Sequence, residues 1–125
     1  MGLDMYAYAV SKRDAIGEFE MARDCEREEL HYWRKHHDLH GWMENLYRDK
    51  GGDADSFNCI PVELTVDDLD NLQQALLEDN LPRTSGFFFG DNPPDLETMR
   101  EDLMFVQKCR IAIKEGKVVY YDSWW

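Results

Sequence analysis

The sequence predicts an α+β fold: one domain over residues 1–125, with a small sheet of about four strands and three helices packed mainly on one face. Three observations predict it. The chain begins and ends with segments in which apolar residues alternate, the period of a strand. Between them lie three segments with apolar residues three and four apart, the period of a helix. A length of 125 residues leaves room for one core only.

The first half of the chain predicts a strand followed by a long helix. Residues 3–10 alternate and form the first strand. Residues 11–24 are ambiguous: part of this segment alternates like a second hairpin strand, but it also fits an early helix start, and we favour a loop or short strand. A helix is predicted over residues 26–48, with one buried stripe, and two glycines end it. The stripe consists of Tyr32, His36, Leu39, Met43 and Leu46.

The middle of the chain predicts a short strand and a capped helix. The strand covers residues 59–64, and Pro61 favours an edge position in the sheet. Thr65 and Asp68 have the spacing of a capping box at the start of a helix over residues 66–79.

The last third predicts a third helix and a final strand. The phenylalanines at 87–89 indicate a short buried strand or a tight apolar loop. Asn92 starts a helix that runs to Glu115, and residues 117–125 form the last strand, which we expect to lie near the first. The predicted inner face of this helix consists of Leu96, Met99, Leu103, Val106 and Ile113.

The charge of the chain restricts its partners. With 26 acidic and 14 basic residues the net charge is −12, which disfavours direct binding to nucleic acid and to anionic membranes. The acidic residues either form an ordinary solvated surface or contact a basic groove of another protein. The second interpretation rests on Asp67, Asp68 and Asp70 in the second helix, with a further set in the third. That further set consists of Asp95, Glu97, Glu101 and Asp102.

The predicted location is the cytoplasm, that of a host cell under the resemblance given below. The three cysteines are widely spaced, which is typical of free thiols in a reducing compartment. The first residues lack the pattern of a signal peptide, and no apolar run approaches the ~18 residues of a transmembrane helix.

The segment 32–42 concentrates aromatic, histidine and basic residues. If it packs against Phe88 and the C-terminal tryptophans, the result is an aromatic box with cationic groups at its rim. Such a box suits a base stacked between rings with its phosphate bound by arginine. The alternative is ordinary core packing of the same rings. The candidate ligand-binding residues are Trp33, Arg34, Lys35, His40, Trp42 and Phe88.

The motifs do not favour catalysis. His36 and His40 are four residues apart, a usable two-ligand spacing, but no HExxH motif is present, and we predict no metal site and no cofactor. Ser85 lacks the surrounding glycines of a nucleophile elbow, and no phosphate-binding glycine loop is present. We predict no catalytic residue.

Four blocks of sequence carry a resemblance. They are Gly2 to Tyr6, the segment from Tyr32 to Lys35 with His40 and Trp42, the segment from Leu81 to Gly90, and Tyr120 to Trp124. In these blocks the chain resembles a family of small bacteriophage- and prophage-encoded proteins. The family supplies a setting rather than a mechanism. The resemblance favours Trp33, Arg34, Lys35, His40 and Trp42 as site residues, and it does not include His36 and His37.

We therefore expect a phage-type accessory protein that acts by binding. It would inhibit a host defence or nucleic-acid-processing protein through its acidic helices, with Trp124 and Trp125 as further anchors. The alternative is a small-ligand binder that sequesters an anionic aromatic molecule such as a nucleotide signal. An enzyme acting on such a ligand is the third possibility.

Overall fold

The computed structural model describes residues 2–23, 25–78, 80–81 and 96–125. Its strands are β1 (Asp4–Val10), β2 (Ala15–Gly17), β3 (Glu20–Met21), β4 (Glu28–Arg34), β5 (Val62–Leu64) and β6 (Val118–Trp124). Its helices are α1 (His37–Asp49), α2 (Val66–Leu77) and α3 (Leu96–Lys114). The predicted α+β class is confirmed.

The main sheet is antiparallel and has the strand order β4-β1-β6-β5. Because successive side chains of a strand point to opposite faces, Met5 and Ala7 of β1 lie on one face and Tyr6 and Tyr8 on the other. The first face packs against the three helices in one large core. The β2–β3 hairpin covers part of the second face, where Met21 packs with Val10 and Tyr120.

Several predicted elements are confirmed. The first and last strands are neighbours, paired from Asp4–Trp124 to Val10–Val118. The strand β5 lies at the sheet edge, as Pro61 suggested, but it is shorter than predicted. Thr65 and Asp68 form the predicted capping box: the Thr65 hydroxyl accepts from the Asp68 amide at 3.2 Å, and the Asp68 carboxylate accepts from the Thr65 amide at 2.9 Å.

The predicted first helix is wrong over nearly its first half. Residues 28–34 form strand β4, which pairs with β1, and the helix begins only at His37. Tertiary pairing overrides the local preference here, because Trp33 and His31 fill the helix-facing side of the sheet edge. Lys35 then adopts a positive φ of 62°, which turns the chain, and the His36 side chain caps α1 by accepting from the Leu39 amide.

The inner face of α3 differs from the prediction. Its buried residues are Asp102, Phe105, Val106, Cys109 and Ala112. Leu96 is 78% exposed, while Leu103 and Ile113 are only partly buried against the core. The predicted helix start at Asn92 and the segment 87–89 lie outside the described residues.

Candidate functional site

Three of the four sequence blocks that carry the resemblance meet at one end of the main sheet. The strand β1 begins there, and β4 and β6 end there on either side of it. Asp4 is paired with Arg34 on one side and with Trp124 on the other. One position further, Met5 lies between Trp33 and Ser123. Because side chains alternate along each strand, Trp33 faces the helices whereas Arg34 faces the opposite side.

On the helix side, Asp102 connects two aromatic rings. Its side chain is almost fully buried and accepts a hydrogen bond from Trp33 Nε1 at 2.9 Å. Its second oxygen lies 2.6 Å from His36 Nε2. Since His36 Nδ1 accepts from the Leu39 amide, the proton of a neutral ring lies on Nε2, which then donates to Asp102. One carboxylate therefore fixes the end of β4 and the start of α1 on α3.

His40 lies one helical turn after His36 and belongs to a second buried group. Its Nδ1 is 2.7 Å from the Tyr121 hydroxyl, and its ring stacks on Phe57 and meets Trp125 edge-on. Burial, with a smaller effect of His37, lowers the pKa of His40 to about 4. Burial also raises the pKa of Tyr121 well above its ordinary value. At neutral pH both side chains are therefore uncharged, so the phenol donates and the imidazole accepts.

The shifted pKa values in this buried cluster favour a structural role over acid–base chemistry. Proton transfer near neutral pH needs a group whose pKa lies near 7, whereas burial moves His40 and Tyr121 away from that range. Burial likewise raises the pKa of the Cys109 thiol, which disfavours a thiolate nucleophile. Over the described ranges, no group of three or more His, Cys, Asp or Glu side chains is placed to bind a metal ion.

The opposite face of the same sheet end is aromatic and partly exposed. Tyr6 stacks on Tyr8, with ring centroids 5.8 Å apart, and its ring lies 5.2 Å from that of Tyr32. The Tyr32 hydroxyl donates to Asp4 at 2.7 Å, and Trp124 is 62% exposed. We call this surface the open sheet face. It consists of Asp4, Tyr6, Tyr32, Arg34, Asp122 and Trp124.

The structure separates the predicted ligand-binding residues. Trp33 is buried against Phe105, and His40 is buried at the sheet, so neither forms the wall of an accessible box. Arg34 is exposed on the other face of the sheet, and Lys35 is exposed in the turn after β4. Trp33 and Arg34 lie in a strand rather than in the predicted helix over residues 26–48, so the helix prediction was wrong at these two positions. Trp42 is partly buried against the main core, and Phe88 lies outside the described residues.

The predicted acidic contact surface is also changed. Asp68 is buried, forms the capping box and pairs with Lys50 at 2.6 Å, so it is not an exposed contact residue. Asp70 is exposed but pairs with Arg110 at 2.7 Å, whereas Asp67 is exposed. In the α3 set, Asp102 is buried, Glu97 and Glu101 are exposed, and Asp95 lies outside the described residues.

The C-terminal tryptophans are exposed, as an anchoring role requires, although to different degrees. Trp124 is the more exposed of the two and belongs to the open sheet face. Trp125 is 39% exposed, and its ring contacts His40. Its backbone amide donates to Asn58 Oδ1, and its backbone carbonyl accepts from Asn58 Nδ2. Trp125 therefore closes the buried cluster, and Trp124 is the better placed to meet a partner.

Sequence reasoning missed the most connected residues of this region. Asp102 was assigned to an exposed acidic set, and Tyr32 was predicted on the buried stripe of the first helix, whereas it is 44% exposed. A signal for Asp102 exists in the sequence: it lies three residues before Phe105 and seven before Cys109, on the buried stripe of α3. The pairing of Tyr6 with Tyr32 has no such local signal, because it depends on strand β4.

No family model, curated protein or solved structure matches the chain. The described part of the chain contains no helix of the length and apolar character needed to span a bilayer.

Proposed function

We propose that this chain is a phage-type accessory protein that acts by binding, and that it inhibits a host protein. The observation that supports this most is the open sheet face. Trp124, Tyr32 and Arg34 are of the residue types most frequent in the energetic centres of protein interfaces, and all three are exposed here. Large apolar rings exposed together at one end of a sheet are typical of an interaction surface.

A binding role also agrees with the state of the buried residues. The His40–Tyr121 pair is uncharged and lies behind Trp125, and Asp102 is enclosed by Trp33 and His36. These contacts hold the sheet end rigid behind the open sheet face. A rigid surface loses little conformational entropy on binding, which favours affinity.

The net charge indicates the kind of partner. A chain with charge −12 attracts basic surfaces over long range and repels nucleic acid. Proteins that process nucleic acid or act in defence against it present basic grooves, so they are the partners that we propose.

The small-ligand alternative has less support. It placed Arg34 and other cationic groups at the rim of an aromatic box, whereas Trp33 and His40 are buried and Arg34 lies on the opposite face of β4 from Trp33. We therefore place Arg34 in the protein-binding surface.

The proposal is tested by capture from host lysate, followed by reconstitution. Tagged protein, its Trp124→Ala variant and its Arg34→Ala variant are each used to capture lysate proteins, which mass spectrometry identifies. Binding of the purified candidate is then measured by calorimetry, and its activity is assayed. We expect each variant to weaken binding by about 2 kcal/mol, roughly thirtyfold, because both residues have the character of interface centres.

The matched control is Leu77→Ala, which removes an equally exposed apolar side chain (58%) from α2. It should bind as the unchanged protein does. The proposal fails if no purified candidate binds, or if all three variants bind equally well.

A further inference from the structure

The outer edge of β4 is a surface that the proposed function does not yet use. This strand is the last in the sheet order, and within the described ranges it pairs with β1 alone. An edge strand presents a row of backbone N–H and C=O groups to solvent, which another extended chain can pair with. Seven residues give an edge of roughly 23 Å at ~3.3 Å per residue, long enough for a short peptide.

A groove runs beside this edge. It lies between β4 and the C-terminal half of α3 and has a volume of about 330 Å³. Its floor is apolar, with Leu30, Ile111 and Ala112, and Ile111 is 58% exposed. A strand edge flanked by a helix is the geometry in which extended peptides bind by strand addition.

The rim of the groove is mainly acidic. Glu28, Glu29 and Glu115 line it, against one lysine, Lys108. Glu28 and Glu115 share Lys117, at 3.0 Å and 3.7 Å, whereas Glu29 is exposed. With Lys108 and Lys117 counted, these five side chains carry a net charge of −1. The exposed carboxylate of Glu29 is therefore the one that attracts a basic segment, in keeping with the charge of the whole chain.

One backbone carbonyl in the middle of the β4 edge already accepts a hydrogen bond from a side chain. The register between β1 and β4 shifts at Ala7 and Tyr8, and Leu30 has no paired residue across it. The Leu30 carbonyl instead accepts from Lys108 Nζ at 3.4 Å. This long bond comes from an exposed side chain, so a peptide amide can replace it at small cost.

We infer that this groove, called here the β4–α3 groove, binds an extended basic segment of the partner protein as an added strand. The inference rests on the proposed function, because it names how that partner docks. Apolar side chains of the segment contact Ile111 and Ala112. Basic side chains, which alternate with them, approach Glu29 on the other face. The added strand also lies beside Tyr32 and Arg34, so it extends the open sheet face.

The test uses a nine-residue peptide of alternating lysine and valine with blocked termini. Its binding to the full chain is measured by calorimetry and by amide chemical shifts in NMR spectra. We expect shifts that concentrate in β4 and in α3 from Lys108 to Glu115, together with slower hydrogen exchange of β4 amides. A peptide with glutamate in place of lysine should not bind measurably, because the rim repels it.

Two controls separate strand addition from simple charge attraction. Methylation of every second peptide nitrogen on the pairing edge removes the backbone donors and should weaken binding at least tenfold, because several hydrogen bonds to β4 are lost together. Ile111→Lys should weaken binding at least tenfold through repulsion and lost apolar contact. Leu77→Lys, at an equally exposed site on α2, should change it less than twofold.

The inference is overturned if the lysine–valine peptide does not bind at millimolar concentration, if the methylated peptide binds as well, or if the shifts map elsewhere. Its failure is distinguishable from failure of the proposed function. A captured partner that is lost by Trp124→Ala but retained by Ile111→Lys would leave the proposed function in place and reject the β4–α3 groove.

Discussion

Asp102 is a buried residue whose polar contacts join three elements of the fold. Its two oxygens meet one donor from β4 and one from α1, so a single side chain joins three elements. Replacement by alanine leaves the Trp33 N–H and the His36 ring without their acceptor in a buried site. Leaving a buried donor without a partner costs more free energy than the hydrogen bond itself contributes to stability.

We therefore expect Asp102→Ala to lower the free energy of unfolding by about 3–5 kcal/mol, measured by urea denaturation. Glu101→Ala, at the neighbouring exposed position, should change it by less than about 0.5 kcal/mol. In the Trp33→Phe background one of the two donors is already absent, so the effect of Asp102→Ala should be smaller there. Equal effects in both backgrounds would show that the Trp33 bond contributes nothing.

His40 gives the fold a dependence on pH. Its pKa is about 4 in the folded protein and about 6.5 in the unfolded chain. Between these values the unfolded chain binds a proton that the folded protein does not. The free energy of unfolding is therefore fully retained above pH 6.5 and falls as the pH is lowered towards 4, by roughly 2–3 kcal/mol from this residue.

Denaturation of the unchanged protein and of His40→Asn at pH 7, 5.5 and 4.5 tests this. The variant should lose less stability over that interval. The comparison is needed because burial also lowers the pKa values of His31 and His37, which act in the same direction. Burial raises the pKa of Asp122, which acts in the opposite direction. Parallel curves for the two proteins would refute the role given to His40.

At the scale of elements, strand β4 is the element that the sequence does not predict. Residues 28–34 and 37–49 lie in one segment whose apolar residues fit a helical period, and glutamate and leucine at its start favour a helix. Strand pairing with β1 decides the structure of the first part, and no local pattern carries that information. The candidate box was built on that helix, and the structure instead places Trp33 and Arg34 on opposite faces of β4.

The start of α2, in contrast, was readable from local sequence. A capping box depends on residues three apart, so the spacing of Thr65 and Asp68 is sufficient to predict it. The additional contact of Asp68 with Lys50 was not predictable, because Lys50 follows α1 and reaches this site only in the folded chain. Lys50 also donates to the Glu63 carbonyl at 2.6 Å, which ties the end of α1 to β5.

This arrangement predicts different results for two neighbouring aspartates. Asp68→Lys removes the carboxylate half of the capping box and places two cations together in a mostly buried site, so it should lower the free energy of unfolding by about 3 kcal/mol or more. Asp67→Lys changes only an exposed residue in the first turn and should cost about 0.5 kcal/mol through the helix dipole. Thermal denaturation of both variants measures the difference, and similar losses would contradict the assignment of Asp68.

At the scale of the whole molecule, a continuous core stabilises the fold and an acidic surface destabilises it. The core runs through both terminal strands and all three helices, so it joins the two ends of the chain. The net charge of −12 opposes this compact state by self-repulsion. The ion pairs partly offset the repulsion, notably Lys50–Asp68, Arg110–Asp70 and Lys117–Glu28.

The dependence of stability on salt concentration distinguishes the self-repulsion of the surface from the contribution of the ion pairs. Exposed charges repel over a distance that shrinks from about 20–30 Å near 0.01–0.02 M salt to about 4–5 Å near 0.5 M. Screening should therefore relieve the excess repulsion more than it weakens the mostly buried Lys50–Asp68 pair. We expect the Tm at pH 7 to rise by about 3–5 °C between 20 mM and 500 mM sodium chloride, which corresponds to about 1 kcal/mol for a chain of this size. The same addition should weaken binding of the lysine–valine peptide, because that attraction is screened too. A Tm that falls with salt would mean that the ion pairs outweigh the net charge in the stability of this fold.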